Sequence, residues 1–151
     1  MHHELFHLSD IEQIQRNLQV GRLCHPRRTL VIYQRIYDSE CEELNPQGEK
    51  AYIGSAVFAP SGQEQANDLE GFVLAIGKID AWEDRATIAG ALMADPKAAY
   101  EKAQQDKIVD AKLKRIMTFY KERSSGKMDE SYFADLVAGK VTEGYWKQPS
   151  R

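Results

Sequence analysis

The sequence lacks the features that define several large classes of protein. It has only two cysteines, Cys24 and Cys41, which are too few for a disulfide scaffold. It has no excess of positive charge, because 20 Lys and Arg residues face 23 Asp and Glu residues, and this argues against general nucleic-acid binding. No apolar run approaches the roughly 20 residues that span a membrane. Acidic residues also interrupt the first twelve positions, so we expect no signal peptide and a cytoplasmic location.

The remaining composition is that of a folded domain. The chain has 151 residues, of which 42% are hydrophobic and 28% are charged. This length suits a single domain, and neither an internal repeat nor a linker divides the sequence. We therefore treat residues 1–151 as one domain.

The N-terminal half predicts a helix followed by two strands. A capping-box pattern indicates a helix over about residues 10–20. The β-branched and aromatic segment Leu30–Tyr37 predicts a strand, and Ala51–Phe58 predicts a second strand after an acidic loop. We expect the two strands to pair as an antiparallel hairpin.

The C-terminal half predicts mainly helices. Leu69–Trp82 fits either a buried strand or a helix, and its alanine content favours the helix. Further helices are predicted over Trp82–Met93, over Pro96–Arg123 as one long helix, and over Glu130–Ala138. The predicted fold class is therefore α+β, with an N-terminal helix and a small antiparallel hairpin followed by a mainly helical half.

An apolar stripe follows the long predicted helix. It consists of Val109, Leu113, Ile116 and Tyr120. The charged residues Lys112, Lys114 and Arg115 are predicted to lie largely off it. Because a helix of this length exceeds what a compact domain needs, we expect the stripe to form the interface of a homo-oligomer.

Five arginines occur between Glu12 and Asp38 with no acid among them. Arginine binds phosphate and carboxylate groups through two parallel hydrogen bonds. Tyr33 shares a face of the predicted strand with Arg35, so a base could stack beside the cations. The hypothesis is a site for a small anionic, nucleotide-like ligand formed by Arg27, Arg28, Tyr33 and Arg35. The alternative is a solvated surface whose arginines pair with the acidic loop.

A second set of candidate ligand-binding residues is Lys78, Trp82 and Arg85. An aromatic ring beside two cations can stack a base. The alternative is an ordinary surface aromatic residue.

The start of the chain matches the zinc-protease motif H-E-x-x-H at residues 3–7. In that motif two histidines ligate zinc from one helical face, and the glutamate, here Glu4, activates water. Because the match precedes the first predicted helix, we place it outside a helix and interpret it as chance. A zinc site made of His7, Cys24 and His25 is also disfavoured, since adjacent residues rarely chelate one ion. The sequence thus predicts no metal, no cofactor and no catalytic residue.

Residues 53–80 resemble small phage and prophage accessory proteins. The resemblance is carried by the segment Ile53–Pro60, followed after a polar loop by Gly71–Lys78. Anti-defence proteins that sequester nucleotide-type immune signals are similar in outline. The resemblance implies a small sheet followed by helices, an oligomeric assembly and a nucleotide-type ligand, and it assigns no binding residue.

The predicted function is a non-enzymatic accessory protein of phage type, which binds a small anionic ligand or a host protein. One alternative is an interaction or inhibitor module that acts through the long helix. Another is a small metal-dependent hydrolase that uses the histidine-rich start.

Overall fold

The structure, a computed structural model, describes residues 3, 5–8, 44–142 and 145. Every regular element in this part of the chain is helical. The α-helices are α1 (Pro60–Asn67), α2 (Ala81–Ala94), α3 (Pro96–Gln105), α4 (Lys107–Arg123) and α5 (Glu130–Val137). Short 3₁₀-helices occupy Gly48–Ala51, Gly54–Phe58 and Ala75–Lys78. Residues 5–8 are also helical.

The predicted α+β fold is wrong, because the described residues include no strand. The second predicted strand, Ala51–Phe58, is not extended. Ala51 ends one 3₁₀-helix, and a second 3₁₀-helix occupies Gly54–Phe58. Gly54 has a φ of 58°, which turns the chain out of an extended path. A strand also needs a neighbour for its backbone groups, and none is present in residues 44–142. The first predicted strand, Leu30–Tyr37, and the helix over about 10–20 lie outside the described residues.

The helix predicted over Leu69–Trp82 is also wrong, because most of this segment is an irregular loop. Besides short turns and the 3₁₀-helix Ala75–Lys78, its backbone bonds to other parts of the chain. The Gly71 N–H donates to Asp106, and the Gly71 carbonyl accepts from Lys112. Gly77 lies so close to α2 that an added Cβ would sit 2.9 Å from Thr87 Oγ1. These tertiary contacts override the local helical pattern.

The long helix predicted over Pro96–Arg123 is two helices, because Asp106 breaks it between α3 and α4. Asp106 has an extended backbone, with φ −134° and ψ 106°. Its Oδ1 accepts from the N–H groups of Ile108 and Val109 at 3.0 and 3.2 Å, and so caps α4. Its Oδ2 accepts from the Gly71 N–H at 2.6 Å. One side chain thus starts α4 and fastens the loop before α2.

The other two predicted C-terminal helices are confirmed. The helix over Trp82–Met93 is α2, and the helix over Glu130–Ala138 is α5. An aspartate caps the start of α2, α3, α4 and α5; these residues are Asp80, Asp95, Asp106 and Asp129. Aspartate is a preferred N-cap residue, and the predicted starts of α2, α3 and α5 lie within one residue of the observed ones, whereas the start of α4 was not predicted.

The core forms where α2, α3 and α4 pack against one another. It includes most of the apolar stripe, since Val109, Leu113 and Ile116 are at most 2% exposed within one chain. Tyr120 is half-buried and packs against the same core. The stripe therefore packs without a second chain, and the oligomer stays a prediction.

Lys112 lies inside this core and is 1% exposed, so the prediction that it lies off the apolar stripe is wrong. Its ammonium group lies 2.6 Å from Asp84 Oδ2, and both side chains are 0% exposed. The ammonium also donates to Asn45 Oδ1 at 2.9 Å and to the Gly71 carbonyl at 2.7 Å. The Tyr52 hydroxyl donates to Asp84 Oδ2. Burial raises the pKa of Asp84, while Lys112 and Tyr52 act in the opposite direction.

Replacing Lys112 by Met is expected to lower the free energy of unfolding by about 3–5 kcal/mol, because it leaves Asp84 buried without its cation. Urea denaturation followed by circular dichroism measures the loss. The matched control is Lys114→Met on the same helix, since Lys114 pairs with Asp110 at 2.7 Å but is 71% exposed. That exposed pair should contribute at most about 1 kcal/mol. Equal losses in the two variants would contradict the central role of the buried pair.

Replacing Asp106 by Ala is expected to lower the free energy of unfolding by about 2 kcal/mol or more, because it removes a helix cap and leaves the Gly71 N–H without its acceptor. Asp95→Ala is the control, because Asp95 caps α3 through a single N–H of Ala98 and should cost about 1 kcal/mol. Urea denaturation of both variants makes the comparison. Equal costs would refute the double role of Asp106.

The contribution of Asp106 to the free energy of unfolding is also expected to depend on pH. Burial alone would raise the pKa of Asp106, but hydrogen bonds from Gly71, Val109 and Ile108 together with Lys102 hold it below the ordinary value of 3.8. Its stabilisation is therefore complete above the ordinary pKa and is lost as the pH falls through the lower folded value. The gap between wild type and Asp106→Ala should narrow on acidification below about pH 4. A gap that stays constant down to pH 2 would contradict this.

Candidate metal centre

Two histidines and a glutamate meet where the N-terminal helical segment contacts α2. His3 Nε2 lies 3.0 Å from Glu83 Oε2, and His7 Nε2 lies 3.6 Å from Glu83 Oε1. The two Nε2 atoms are 3.1 Å apart. In the described part of the chain this is the group of His, Cys, Asp or Glu side chains whose ligand atoms lie close enough together to hold one ion.

The N-terminal segment presents both histidines to α2 through its helical spacing and its anchor. Residues four apart lie on one face of a helix, which brings His3 and His7 together. Between them, Phe6 is 1% exposed and points into the core, with its ring centroid 5.1 Å from that of Phe119. His3 packs closely on α2, because a Cβ added at Gly90 would lie 3.4 Å from its Cβ. The anchor and the close packing fix the imidazoles over α2.

Glu83 reaches the site from the first turn of α2. The side chain of Asp80 starts this helix by accepting from the Glu83 N–H at 2.8 Å. The side chain of the next residue, Asp84, forms the buried ion pair with Lys112 and so fixes the rotation of α2 about its axis. Glu83 is thereby directed at the histidines with both carboxylate oxygens.

Trp82 forms one wall of the cluster. Its ring stacks on His7 with centroids 5.3 Å apart and an interplanar angle of 16°. Stacking fixes the plane of the imidazole and keeps its Nε2 directed at Glu83. Trp82 was predicted to stack a ligand base, and in the structure it stacks on a histidine of its own chain.

The ligand atoms of the three side chains lie close enough together to reach one metal ion, within 4.8 Å of one another. Zinc binds nitrogen and carboxylate oxygen at about 2.0–2.1 Å, so two corners of its tetrahedron lie about 3.3 Å apart. The separations of 3.0 Å from His3 Nε2 to Glu83 Oε2 and of 3.1 Å between the two Nε2 atoms are close to this value, and His7 Nε2 lies 3.6 Å from the other carboxylate oxygen, Oε1. An ion could therefore be accepted with little movement of the side chains.

The expectation that H-E-x-x-H lies outside a helix is wrong, because residue 3 and residues 5–8 are helical. The capping-box pattern predicts the first helix over about residues 10–20, which lie outside the described residues, and nothing in the sequence analysis predicted the helical residues before it. Glu83 was not predicted at all, since nothing in the local sequence distinguishes it among 23 acidic residues. The one available signal was that the motif requires a third ligand from elsewhere.

The second predicted ligand set does not converge on one site. The Lys78 ammonium donates to the carbonyl oxygens of Gln65 and Asp68, at the edge of a cavity of about 310 Å³. The Arg85 guanidinium carbon lies 5.7 Å from the Phe6 ring centroid and is turned into the core. Trp82 stacks on His7. The first predicted set, Arg27, Arg28, Tyr33 and Arg35, lies outside the described residues.

Comparison of the chain with models of protein families, with curated proteins and with solved structures finds no match. Among the described helices, none combines the length and the apolar character that crossing a membrane requires.

Replacing Phe6 by Ala is expected to lower the free energy of unfolding by about 3 kcal/mol, because it empties a buried aromatic site between Arg85 and Phe119. Leu5→Ala is the matched control, since Leu5 is 50% exposed on the same segment and its loss should cost little. Urea denaturation of both variants provides the measurement. If Phe6→Ala were as mild as Leu5→Ala, the N-terminal segment would not be packed on α2 and α4 as described.

Proposed function

We propose that this protein binds one divalent transition-metal ion, with zinc as the expected ion, through His3, His7 and Glu83. The observation that carries the proposal is that one ligand atom from each of these side chains lies within 4.8 Å of the other two. The two Nε2 atoms are 3.1 Å apart and His3 Nε2 lies 3.0 Å from Glu83 Oε2, distances close to the edge of a zinc tetrahedron, and all three residues are of types that ligate zinc.

The donor set favours zinc over the common alkaline-earth ions. Two imidazole nitrogens and one carboxylate are ligands for zinc and related transition metals, whereas magnesium and calcium prefer oxygen donors alone. The histidine and glutamate side chains are 14–25% exposed, so the cluster lies near the surface.

Metal binding would also fasten the N-terminal segment. Two of the ligands belong to residues 3–7 and the third to α2, so the ion cross-links two elements that are distant in sequence. Phe6 and Trp82 already hold the segment through packing. The ion therefore adds stability to a contact that exists without it, as binding to a prepared site does.

The proposal predicts one zinc per chain after zinc loading and desalting, measured by elemental analysis. At a free zinc concentration 100 times the dissociation constant, the folded state should gain about 2.7 kcal/mol in free energy of unfolding. Glu83→Gln and His3→Ala should each abolish stoichiometric zinc and the gain. In the presence of chelator, both variants should still show a helical spectrum.

The matched control is Glu101→Gln. Glu101 lies on α3, is 59% exposed and pairs with Lys97. This variant should retain one zinc and the full gain in stability. If wild type retains no zinc, or if Glu83→Gln retains as much as Glu101→Gln, the cluster is a hydrogen-bonded contact between two helices and the proposal fails.

The functions predicted from the sequence stay predictions. Binding of an anionic ligand by Arg27, Arg28, Tyr33 and Arg35, capture of a host protein, and homo-oligomerisation are supported by no contact among the described residues. The small metal-dependent hydrolase gains support from the clustering of His3 and His7 with Glu83.

A further inference from the structure

We infer that the ion in this centre keeps one coordination position for an exogenous small oxyanion, such as a carboxylate or a phosphate group. The inference rests on the proposed metal binding and extends it from a structural cross-link to a ligand-binding site. It concerns the position opposite the three protein donors.

The number of protein ligands is the first argument. Tetrahedral zinc in a purely structural site is closed by four protein side chains, whereas sites that bind ligands use three and leave the fourth to water. His3, His7 and Glu83 form a group of three, and the described residues add no fourth His, Cys, Asp or Glu to it.

The immediate surroundings are the second argument. The Trp82 ring covers one side of His7, and an indole offers no metal ligand. Gly90 lies beside His3 and has no side chain that could reach the ion. Asp84, the next acid along α2, is bound by Lys112 and Tyr52.

Access and charge are the third argument. The side chains of His3 and Glu83 are each 25% exposed, so the cluster lies near the surface, with Glu83 Oε2 itself buried. Two neutral imidazoles and one carboxylate leave a divalent ion with a net charge of about plus one, which favours an anion. In the exchange a metal–oxygen bond to the oxyanion forms as the bond to water breaks, the water leaves, and no electron is transferred.

The test uses the protein loaded with Co²⁺, whose visible absorption reports its ligands. Sodium acetate and inorganic phosphate are titrated separately into the Co²⁺ protein at constant ionic strength. The expected result is a saturable change in the visible bands with at least one of the two anions. Glu101→Gln should give the same titration curve as wild type. The anion that binds more tightly shows whether the position prefers a carboxylate or a phosphate group.

Failure of the inference is distinguishable from failure of the proposed metal binding. If Co²⁺ binds stoichiometrically but neither anion changes the spectrum, the fourth position is closed and the inference is overturned while metal binding stands. An intense near-ultraviolet charge-transfer band from sulfur to cobalt that disappears in Cys24→Ser would identify a cysteine as the fourth ligand and overturn it too. If Co²⁺ does not bind at all, the metal proposal itself fails.

Discussion

The arrangement of this protein depends on one buried ion pair, between Asp84 of α2 and Lys112 of α4. The two groups are 2.6 Å apart and fully shielded from solvent. Burying either charge without the other is strongly unfavourable. The ion pair therefore fixes how α2 and α4 are rotated about their axes where they face each other. Lys112 also binds Asn45 and the carbonyl of Gly71, which draws the two loop segments of the chain to the same point. The helices, the loops and the rotation of α2 are thus fixed together.

The candidate metal centre follows from that rotation. Three consecutive side chains of α2 point in three directions: Glu83 to the histidines, Asp84 to Lys112, and Arg85 to the ring of Phe6. With Asp84 fixed, Glu83 has to face the N-terminal segment, and Arg85 helps to bury the residue that anchors it. The buried carboxylate of Asp84 therefore positions Glu83, the proposed metal ligand, on the more exposed side of the same helix. This coupling explains how a short terminal segment can be held in a defined geometry.

Sequence reasoning located the helices that begin with a strong local signal, such as α3 after Asp95 and α5 after Asp129. It failed where tertiary contacts decide. Asp106 leaves the helix because its carboxylate binds Gly71, which lies 35 positions earlier in the sequence. From the sequence, Lys112 is expected to lie in solvent because a lone lysine is rarely buried. The groups that accept its hydrogen bonds, on Asn45 and Asp84, are distant in the sequence. The histidines were visible as a motif, but their third ligand depended on a packing that no local pattern encodes.

The most direct test of the account is X-ray absorption spectroscopy at the zinc edge of the zinc-loaded protein. The structure predicts a first shell of nitrogen and oxygen at about 2.0–2.1 Å, with outer-shell scattering from two imidazole rings. It predicts four ligand atoms in total, of which the protein supplies those of His3, His7 and Glu83. A shell that contains sulfur at about 2.3 Å, or one without imidazole scattering, would contradict the centre described here.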